Sequence, residues 1–267
     1  MTSTILLTGG TGTLGRLVAP LLHESGCDLR VLSRHPNGPG TVVGDLSTGV
    51  GIDAAVAGAD TIVHCAGSTK GDGDKARHLV RAATRAGRPH LVYISVVGAD
   101  RVPVVGAADR AGFGYYAEKR AAEEIVAGSG LPWTTLRATQ FHELTLTVAR
   151  QLAKLPVIPV PAGVSFQPVD AGEVAARLAE LARGRPAGLA DDFAGPRVYG
   201  MAELIRGYLR AAGRRRPIVP IRFAGGAYRA LRAGAHLAPG HATGRRTWED
   251  FLAEHVRPQA GSHPTTV

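Results

Sequence analysis

Tyr115 and Lys119 form the pair of side chains in this sequence that is best suited to acid–base chemistry. They lie four positions apart, so a helix there presents both on one face. A lysine ammonium beside a phenol can lower the pKa of the phenol, which then donates a proton to a carbonyl oxygen. Ser95, at the end of an earlier apolar run, could donate a hydrogen bond to the same oxygen. Ser95, Tyr115 and Lys119 are therefore the predicted catalytic residues.

A glycine-rich loop near the start of the sequence predicts the binding of a dinucleotide. Residues 8–15 read TGGTGTLG, between an apolar run and an amphipathic stretch. Gly9 allows the turn out of a strand, Gly12 lets the backbone approach a pyrophosphate, and Gly15 lets a helix pack close to the sheet. The helix N-terminus then directs its free N–H groups at the phosphates. The predicted contacts from this loop are Gly9, Thr11, Gly12, Thr13, Leu14 and Gly15.

The residues after the second predicted strand indicate which dinucleotide binds. An NAD site usually carries an acidic residue there that binds the ribose hydroxyls. Ser33 and Arg34 occupy the position instead. Arg34 can bind a 2′-phosphate through two N–H groups, although an arginine there can also stack on the adenine of either cofactor. We predict NADP(H) rather than NAD(H). The remaining predicted cofactor contacts are Asp45 and Leu46 at the adenine, Ala66, Gly67 and Ser68 at the ribose, and Lys119.

The elements that must position these residues alternate regularly in the first half of the chain. Apolar β-branched runs alternate with stretches of helical spacing, which predicts a parallel sheet with helices on both faces. Right-handed crossovers make this a doubly wound α/β fold. The predicted strands are Thr4–Thr8, Asp28–Ser33, Thr41–Val43, Thr61–Cys65, His90–Ser95 and Trp133–Arg137. The predicted helices are Gly15–Ser25, Gly51–Ala57, Asp74–Ala86 and Tyr115–Gly128.

The second half of the chain predicts a smaller part on the substrate side. We expect residues 1–138 to form the cofactor-binding core, residues 139–257 to pack on it across the carboxyl edge of the sheet as one structural unit, and residues 258–267 to form a flexible tail. Asp170 is the predicted cap of one helix. The helices predicted in this part are Leu144–Leu155, Ala171–Arg183, Met201–Ala212 and Thr247–His255.

Three residues after the sixth predicted strand are expected beside the reactive end of the cofactor. Gln140 could hydrogen-bond a substrate, and Phe141 could either stack on a flat substrate or belong to the core. His142 is expected at the polar rim, because the sequence offers it no partner. Gln140 and Phe141 are therefore the predicted substrate contacts.

Composition and charge limit the class of protein. The 267 residues are 45% hydrophobic and 20% charged, which is ordinary for a globular protein. Cys27 and Cys65 cannot build a disulfide framework and match no metal-ligand spacing, so Cys65 is expected as an apolar filler and no metal is expected. The sequence offers no signal peptide and no membrane-spanning stretch. We expect a cytoplasmic protein with a small-molecule substrate and no membrane partner.

Basic residues concentrate toward the C-terminal end. The formal net charge is +9, and from Met201 onward eleven arginines face four acidic residues. The densest cluster is Arg214–Arg216. It is either a patch that binds a polyanion or a solvated basic surface. No nucleic-acid motif accompanies the charge, so we do not expect a nucleic-acid partner.

Taken together, these motifs resemble the short-chain dehydrogenase/reductase superfamily, specifically its atypical, NmrA-like NAD(P)H-binding branch. The resemblance implies a Rossmann-type fold, NADP(H) use, and Ser95, Tyr115 and Lys119 as the analogue of the catalytic triad. It implies an NADPH-dependent reductase of a small hydrophobic carbonyl, quinone or enone. A non-catalytic NADP(H)-responsive regulator and a sugar-nucleotide epimerase or dehydratase are the alternatives. The matching segments are Thr8–Gly15, Ser33-Arg34, Asp45-Leu46, His64–Ser68, Ile94–Gly98, Tyr115–Glu123, Leu131–Phe141 and Arg246–Leu252.

One spacing departs from that pattern. Ser95 and Tyr115 lie twenty positions apart, farther than is typical of the best-known members. The intervening stretch includes GAADRAGFG at 106–114, which is expected as an inserted loop. Such a loop would either cover the site or draw Tyr115 away from it.

Overall fold

A seven-stranded parallel sheet forms the centre of the molecule. The structure is a computed structural model that describes residues 3–68 and 70–257, so the predicted tail at 258–267 lies outside the described residues. The strands are β1 (Thr4–Thr8), β2 (Asp28–Ser33), β3 (Thr41–Val43), β4 (Thr61–His64), β5 (His90–Val96), β6 (Trp133–Ala138), β7 (Ile158–Pro161), β8 (Ser165–Phe166), β9 (Gly188–Leu189), β10 (Tyr199–Gly200) and β11 (Ile218–Ile221). The order in the main sheet is β3-β2-β1-β4-β5-β6-β9, with all neighbours parallel.

Helices cover both faces of this sheet. They are α1 (Gly15–Glu24), α2 (Ile52–Val56), α3 (Asp72–Arg85), α4 (Ala107–Ala127), α5 (His142–Leu152), α6 (Ala171–Arg183), α7 (Met201–Ala211), α8 (Gly226–Arg232) and α9 (Trp248–His255). Residues of α1 and α6 pack with β1, β4, β5 and β6 on one face, while α2, α3 and α4 pack on the other. The predicted doubly wound α/β fold is confirmed.

The predicted boundary after residue 138 does not separate the sheet from the rest of the chain. The later strand β9 pairs with β6, with Gly188 beside Thr134. Likewise, Val174 and Leu178 of α6 are fully buried in the same core cluster as Val18 of α1. The sheet and its helical layers are therefore completed by residues from the second half of the chain.

A second core lies beyond the sheet and holds the remaining elements. It packs α5, α7 and α9 against β7, with Tyr199, Trp248 and Phe251 almost completely buried. As predicted, Asp170 caps α6, and its carboxylate accepts hydrogen bonds from the N–H groups of the first turn. Thr247 caps α9 through a capping box with Asp250.

The predicted inserted loop is largely helical, which corrects the sequence-based expectation. Helix α4 begins at Ala107 rather than at Tyr115, so Tyr115 lies in its third turn. Glycine disfavours helix, and Gly112 and Gly114 made this stretch resemble a loop. Tertiary packing overrides that preference, because Phe113 packs against the apolar cluster formed with α8.

Two further observations concern the described residues only. No helix among them is long and apolar enough to cross a bilayer. No group of three or more histidine, cysteine, aspartate or glutamate side chains among them could hold a metal ion.

Candidate active site

The main cavity opens where the chain reverses direction across the sheet. The chain leaves β1 toward β2 and β3 on one side and returns to β4 on the other, so the loops after β1 and β4 diverge. A cavity of about 960 Å³ lies there, large enough for a dinucleotide cofactor. The predicted residues that line it are Gly9, Thr11, Gly12, Ser33, Arg34, Asp45, Leu46, Ala66, Gly67 and Ser68.

The three spaced glycines meet different demands. Gly9 has a φ of +73°, and a Cβ there would lie 2.5 Å from the Ala66 backbone nitrogen. A Cβ on Gly15 would collide with the Gly9 carbonyl oxygen. At Gly12 that oxygen is the one neighbour of such a Cβ among the described atoms, at 3.3 Å. The chain's own packing thus requires Gly9 and Gly15, while Gly12 leaves room for a ligand.

Leu14 cannot contact a cofactor through its side chain. It is the N-cap residue of α1, makes no side-chain cap hydrogen bond, and is buried with Ile5 and Val18. Any contact from Leu14 must come from its backbone, as expected at the N-terminus of a helix that binds phosphate. Thr13, by contrast, is exposed.

The Lys119 ammonium lies directly behind the lining of the cleft. Its Nζ is 3.2 Å from Asp72 Oδ2 and donates a hydrogen bond to the Ile94 carbonyl oxygen at 3.4 Å. It also lies 5.1 Å from the centre of the Tyr93 ring. A Cβ built on Gly67 would sit 2.8 Å from Nζ. Lys119 is 3% exposed and does not line the cavity itself, so the ammonium lies behind the cleft with Gly67 in front of it.

Lys119 and Asp72 hold each other in the charged state. Burial opposes the charge on Lys119, but Tyr93 and Asp72 outweigh it and raise the pKa of the ammonium. Burial also opposes the charge on Asp72, yet Lys119 and a 2.8 Å hydrogen bond from the Ser68 N–H lower the pKa of that carboxyl. Lys75 Nζ lies 3.2 Å from Asp72 Oδ1. Two ammonium groups therefore flank one buried carboxylate.

Tyr115 is close to Lys119, but its pKa does not shift as predicted. Lys119 Nζ lies 5.6 Å from the centre of the Tyr115 ring, and 38% of Tyr115 is exposed. Burial of the phenol, followed by the negative charge of Asp72, raises the pKa of Tyr115 to about 12. The sequence predicted a lowered value from Lys119 alone, because it revealed neither the burial of the phenol nor the nearby Asp72 carboxylate. Tyr115 therefore keeps its proton at neutral pH.

Ser95 presents a buried hydroxyl without a partner. It is the penultimate residue of β5, and alternation along the strand puts it on the same side as Tyr93, facing α4. Within the described part of the chain, Ser95 Oγ has no hydrogen-bond partner. Leaving a buried hydroxyl unpaired costs about 1–3 kcal/mol. Ser95 is not among the residues that line the cavity.

A buried ion pair, which sequence reasoning missed, anchors α4 beside these residues. Arg137 of β6 donates two hydrogen bonds to Glu123 of α4, at 2.8 and 2.7 Å. Glu123 lies one helical turn after Lys119 and two turns after Tyr115, on the same face. The pair therefore fixes the face of α4 that carries both predicted catalytic residues. An acid four residues after Lys119, with an arginine at the end of the next strand, was the available signal.

Gln140 and Phe141 connect the loop after β6 to other segments. The Gln140 amide accepts a hydrogen bond from the Gln167 N–H at 3.3 Å and donates one to the His236 carbonyl oxygen at 3.4 Å. Phe141 is partly buried against the main core. In the structure described here, both polar ends of the Gln140 side chain are thus engaged with backbone groups.

His142 lies in the core and not at the rim of the site. His142 is fully buried and stacks on Trp248 and Phe251, so the predicted rim position is wrong. The stacking partners come from a helix more than 100 residues later, which no local pattern could reveal.

Burial raises the pKa of the Cys65 thiol to about 12. Cys65 is therefore a thiol rather than a nucleophilic thiolate at neutral pH, in line with its predicted role as a filler.

Comparison with known proteins identifies a family and several similar proteins. Residues 9–154 match a family model described as NAD(P)H-binding. The chain is 29% identical over 228 residues to (4-alkanoyl-5-oxo-2,5-dihydrofuran-3-yl)methyl phosphate reductase of Streptomyces griseus subsp. griseus, covering 82% of this chain and 76% of that protein. It is 28% identical over 234 residues to NAD(P)H azoreductase of Xenophilus azovorans, with the same coverage. The NADPH-dependent quinone oxidoreductase of Escherichia coli, solved with NADPH, superimposes with a TM-score of 0.79 at 19% identity, over 94% of this chain and 99% of that one.

Proposed function

Because the chain belongs to the NAD(P)H-binding family, we propose that it is an oxidoreductase that uses NADPH to reduce a small hydrophobic carbonyl, quinone or enone compound. The observation that carries the proposal is the Lys119 ammonium, which lies behind Gly67 of the cleft lining and donates a hydrogen bond to the carbonyl oxygen of Ile94, the residue before Ser95. Two relatives that match most of this chain are named as reductases, which supports the reaction type.

The lining of the cleft suits a phosphorylated dinucleotide. Four basic side chains line it, against the two carboxylates of Asp45 and Asp74. Arg34 is exposed and directly follows β2, where a 2′-phosphate would lie. Such a charge balance favours NADPH over NADH. The four basic residues are Arg34, His35, Lys70 and Lys75.

Each of the three predicted catalytic residues has a distinct role in this proposal. Lys119 holds the ribose next to the nicotinamide, since its ammonium lies directly behind Gly67 of the cleft lining. Ser95 donates a hydrogen bond to the substrate oxygen and so polarises it. Tyr115 keeps its proton at neutral pH and delivers it to that oxygen as negative charge develops there. NADPH, when bound, supplies the hydride.

Gln140 and Phe141 are proposed to shape the substrate end rather than to hold substrate by strong bonds. The Gln140 amide links the loop after β6 to the backbone at Gln167 and His236. Phe141 offers a partly buried aromatic surface next to it. Such a wall suits a flat, apolar substrate.

The test is an acceptor panel with the purified protein. Consumption of NADPH is followed with ketones, quinones, enones and azo compounds, and each assay is repeated with NADH. We expect turnover with at least one class, a preference for NADPH, and loss of cofactor binding in Lys119→Ala. Tight NADPH binding without turnover across the panel would contradict the proposal and favour an NADP(H)-responsive regulator.

A further inference from the structure

A small second sheet leaves an apolar face uncovered by the described residues. Strands β7 and β11 pair in parallel, with Ile158 beside Ile218 and Pro161 beside Ile221. Every residue of both strands is apolar, as their sequences IPVP and IVPI show. Ile158 is fully buried in the second core, so one face of the pair is packed. A strand with one packed face normally carries polar residues on the other.

The opposite face of this pair is exposed. Aligned residues of parallel strands share a face, so Val219 lies on the same side as Pro159, away from buried Ile158. Val219 is 46% exposed, Ile221 40% and the following Phe223 55%. Apolar side chains clustered in this way usually mark a contact surface. We call the following residues the β7/β11 surface: Leu155, Val157, Val219, Ile221 and Phe223.

Basic residues flank this surface on each strand. Arg214–Arg216 precede β11, Arg222 follows it, and Lys154 lies shortly before β7. The stretches 154–161 and 214–223 contain no acidic residue. In residues 3–68 and 70–257, no ion pair involves Arg215, Arg216 or Arg222. The charges of these three arginines are therefore not neutralised by an acidic side chain among the described residues.

We propose that the β7/β11 surface docks on an anionic phospholipid bilayer. Exposed aliphatic and aromatic groups beside arginines match the two attractions of such an interface, apolar insertion and attraction to lipid phosphates. A second copy of the chain fits less well, because a two-fold contact would juxtapose the same arginines. A nucleic acid fits less well too, because its interfaces are polar and leave Val219 and Phe223 without partners. The expectation of no membrane partner rested on the lack of a spanning stretch, which surface docking does not need.

This surface borders helix α8, which packs on the part of α4 around Tyr115. The Phe223 ring packs edge-on against Tyr228 of α8, with 5.6 Å between ring centres. Tyr228 belongs to an apolar cluster with Phe113 and Tyr116 of α4, just before and after Tyr115. A bilayer bound at the β7/β11 surface would therefore lie beside the substrate-side helices. The docking proposal does not depend on the reductase activity.

The test is flotation of the full chain with lipid vesicles. We expect binding to vesicles of phosphatidylcholine mixed with phosphatidylglycerol, little binding to phosphatidylcholine alone, and weaker binding at high salt. The double variant Arg215→Gln/Arg216→Gln should bind about 25-fold more weakly. Each arginine near an anionic surface raises the affinity for the vesicle about fivefold. Val219→Ser/Phe223→Ser should bind about tenfold more weakly. The matched control, Arg81→Gln/Arg185→Gln, removes the same charge from exposed positions elsewhere and should bind normally.

Thermal melts show that each variant is folded before binding is measured. The proposal is overturned if the wild-type chain stays out of the lipid fraction in both vesicle types. It is also overturned if Val219→Ser/Phe223→Ser floats like the wild type, if duplex DNA displaces the vesicles, or if sedimentation shows that the same variant splits a dimer. The last two outcomes assign the surface to a nucleic acid or to a second copy.

Discussion

Asp72 Oδ2 and Lys119 Nζ lie 3.2 Å apart, and both side chains are almost completely buried. The pair joins the start of α3 to the fourth turn of α4, directly behind the loop that follows β4. Removing one partner of a buried ion pair costs about 3–5 kcal/mol, because the other charge is left without compensation. The position of the Lys119 ammonium at the cleft therefore depends on Asp72.

We expect Asp72→Asn to change the pH dependence of NADPH binding. The amide keeps the shape and can still accept the hydrogen bond from Ser68, but it removes the Asp72 charge that, together with Tyr93, raises the pKa of Lys119. Burial then lowers that pKa, so binding should be lost at a less alkaline pH than in the wild type. The free energy of unfolding should fall by about 3 kcal/mol. Titration of cofactor fluorescence against pH and urea denaturation measure the two effects.

The matched control for Asp72→Asn is Glu124→Gln. Glu124 lies on the same helix as Lys119 and pairs with Arg120 at the surface. An exposed pair of this kind contributes below about 1 kcal/mol, and the binding profile should stay unchanged. An unshifted alkaline limb in Asp72→Asn would show that Asp72 does not position Lys119.

Gly67→Ala should close the path between the cleft and Lys119. The new Cβ would lie 2.8 Å from Lys119 Nζ and 3.3 Å from Asp72 Oδ2. The backbone at Gly67 has no positive φ, so alanine introduces a steric conflict without backbone strain. We expect NADPH to bind at least about tenfold more weakly, equivalent to about 1.4 kcal/mol. Gly112→Ala, where a Cβ meets no described atom within 4 Å, is the control and should bind normally; equal affinity in both variants would contradict this path.

Local patterns predicted β1 to β6 and the glycine-rich turn between β1 and α1, because both depend on neighbouring residues, whereas the short later strands β7 to β11 were not predicted. Asp170, for example, sits one residue before an apolar stretch of helical period, and it caps α6 as predicted. Asp72 was missed, because its role depends on Lys119, which lies 47 positions later and meets it only in the folded chain. The start of α4 was missed for a related reason. Packing of Phe113 against α8 stabilises helical turns that the glycines at 112 and 114 disfavour on their own.

Tyr115→Phe should lower the rate of reduction and leave cofactor binding intact. The phenol is protonated at neutral pH. Tyr115 does not line the cleft, so its replacement by phenylalanine removes no contact from the cleft lining. Loss of a general acid lowers kcat by about 100-fold or more. Steady-state kinetics with an active carbonyl acceptor measure this loss, and fluorescence titration measures NADPH affinity. A variant with unchanged kcat would mean that the substrate oxygen receives its proton from another group.

Arg34→Ser should shift the cofactor preference toward NADH. Arg34 lines the cleft after β2, and its guanidinium is the proposed partner of the 2′-phosphate. Charge-assisted bonds of this kind contribute about 1.5–3 kcal/mol, so the KM for NADPH should rise by about tenfold or more. The KM for NADH, which lacks that phosphate, serves as the internal control and should change little. Equal effects on both cofactors would instead assign Arg34 to stacking on the adenine.

His64 should make the fold sensitive to mild acid. It is completely buried, its Nδ1 lies 2.7 Å from Thr8 Oγ1, and its ring stacks on Tyr93. Burial, followed by the positive charge of Lys119, lowers the pKa of His64 from 6.5 to about 3. The unfolded chain therefore binds a proton that the folded chain excludes as the pH falls below about 6.5. His64 alone should lower the free energy of unfolding by about 1.4 kcal/mol per pH unit between about pH 6.5 and about pH 3.

The variant His64→Asn isolates this contribution to acid sensitivity. Asparagine keeps a polar atom near the position of Nδ1, which can still bond to Thr8, but it does not titrate in this range. Urea denaturation at several pH values should give a slope of stability against pH that is shallower by about 1.4 kcal/mol per unit, whatever the loss of stability at neutral pH. His23→Gln, at an exposed position near the end of α1, is the control and should keep the wild-type slope. If His64→Asn kept that slope as well, the imidazole would have to be protonated in the folded chain, and its burial beside Lys119 would not control its charge.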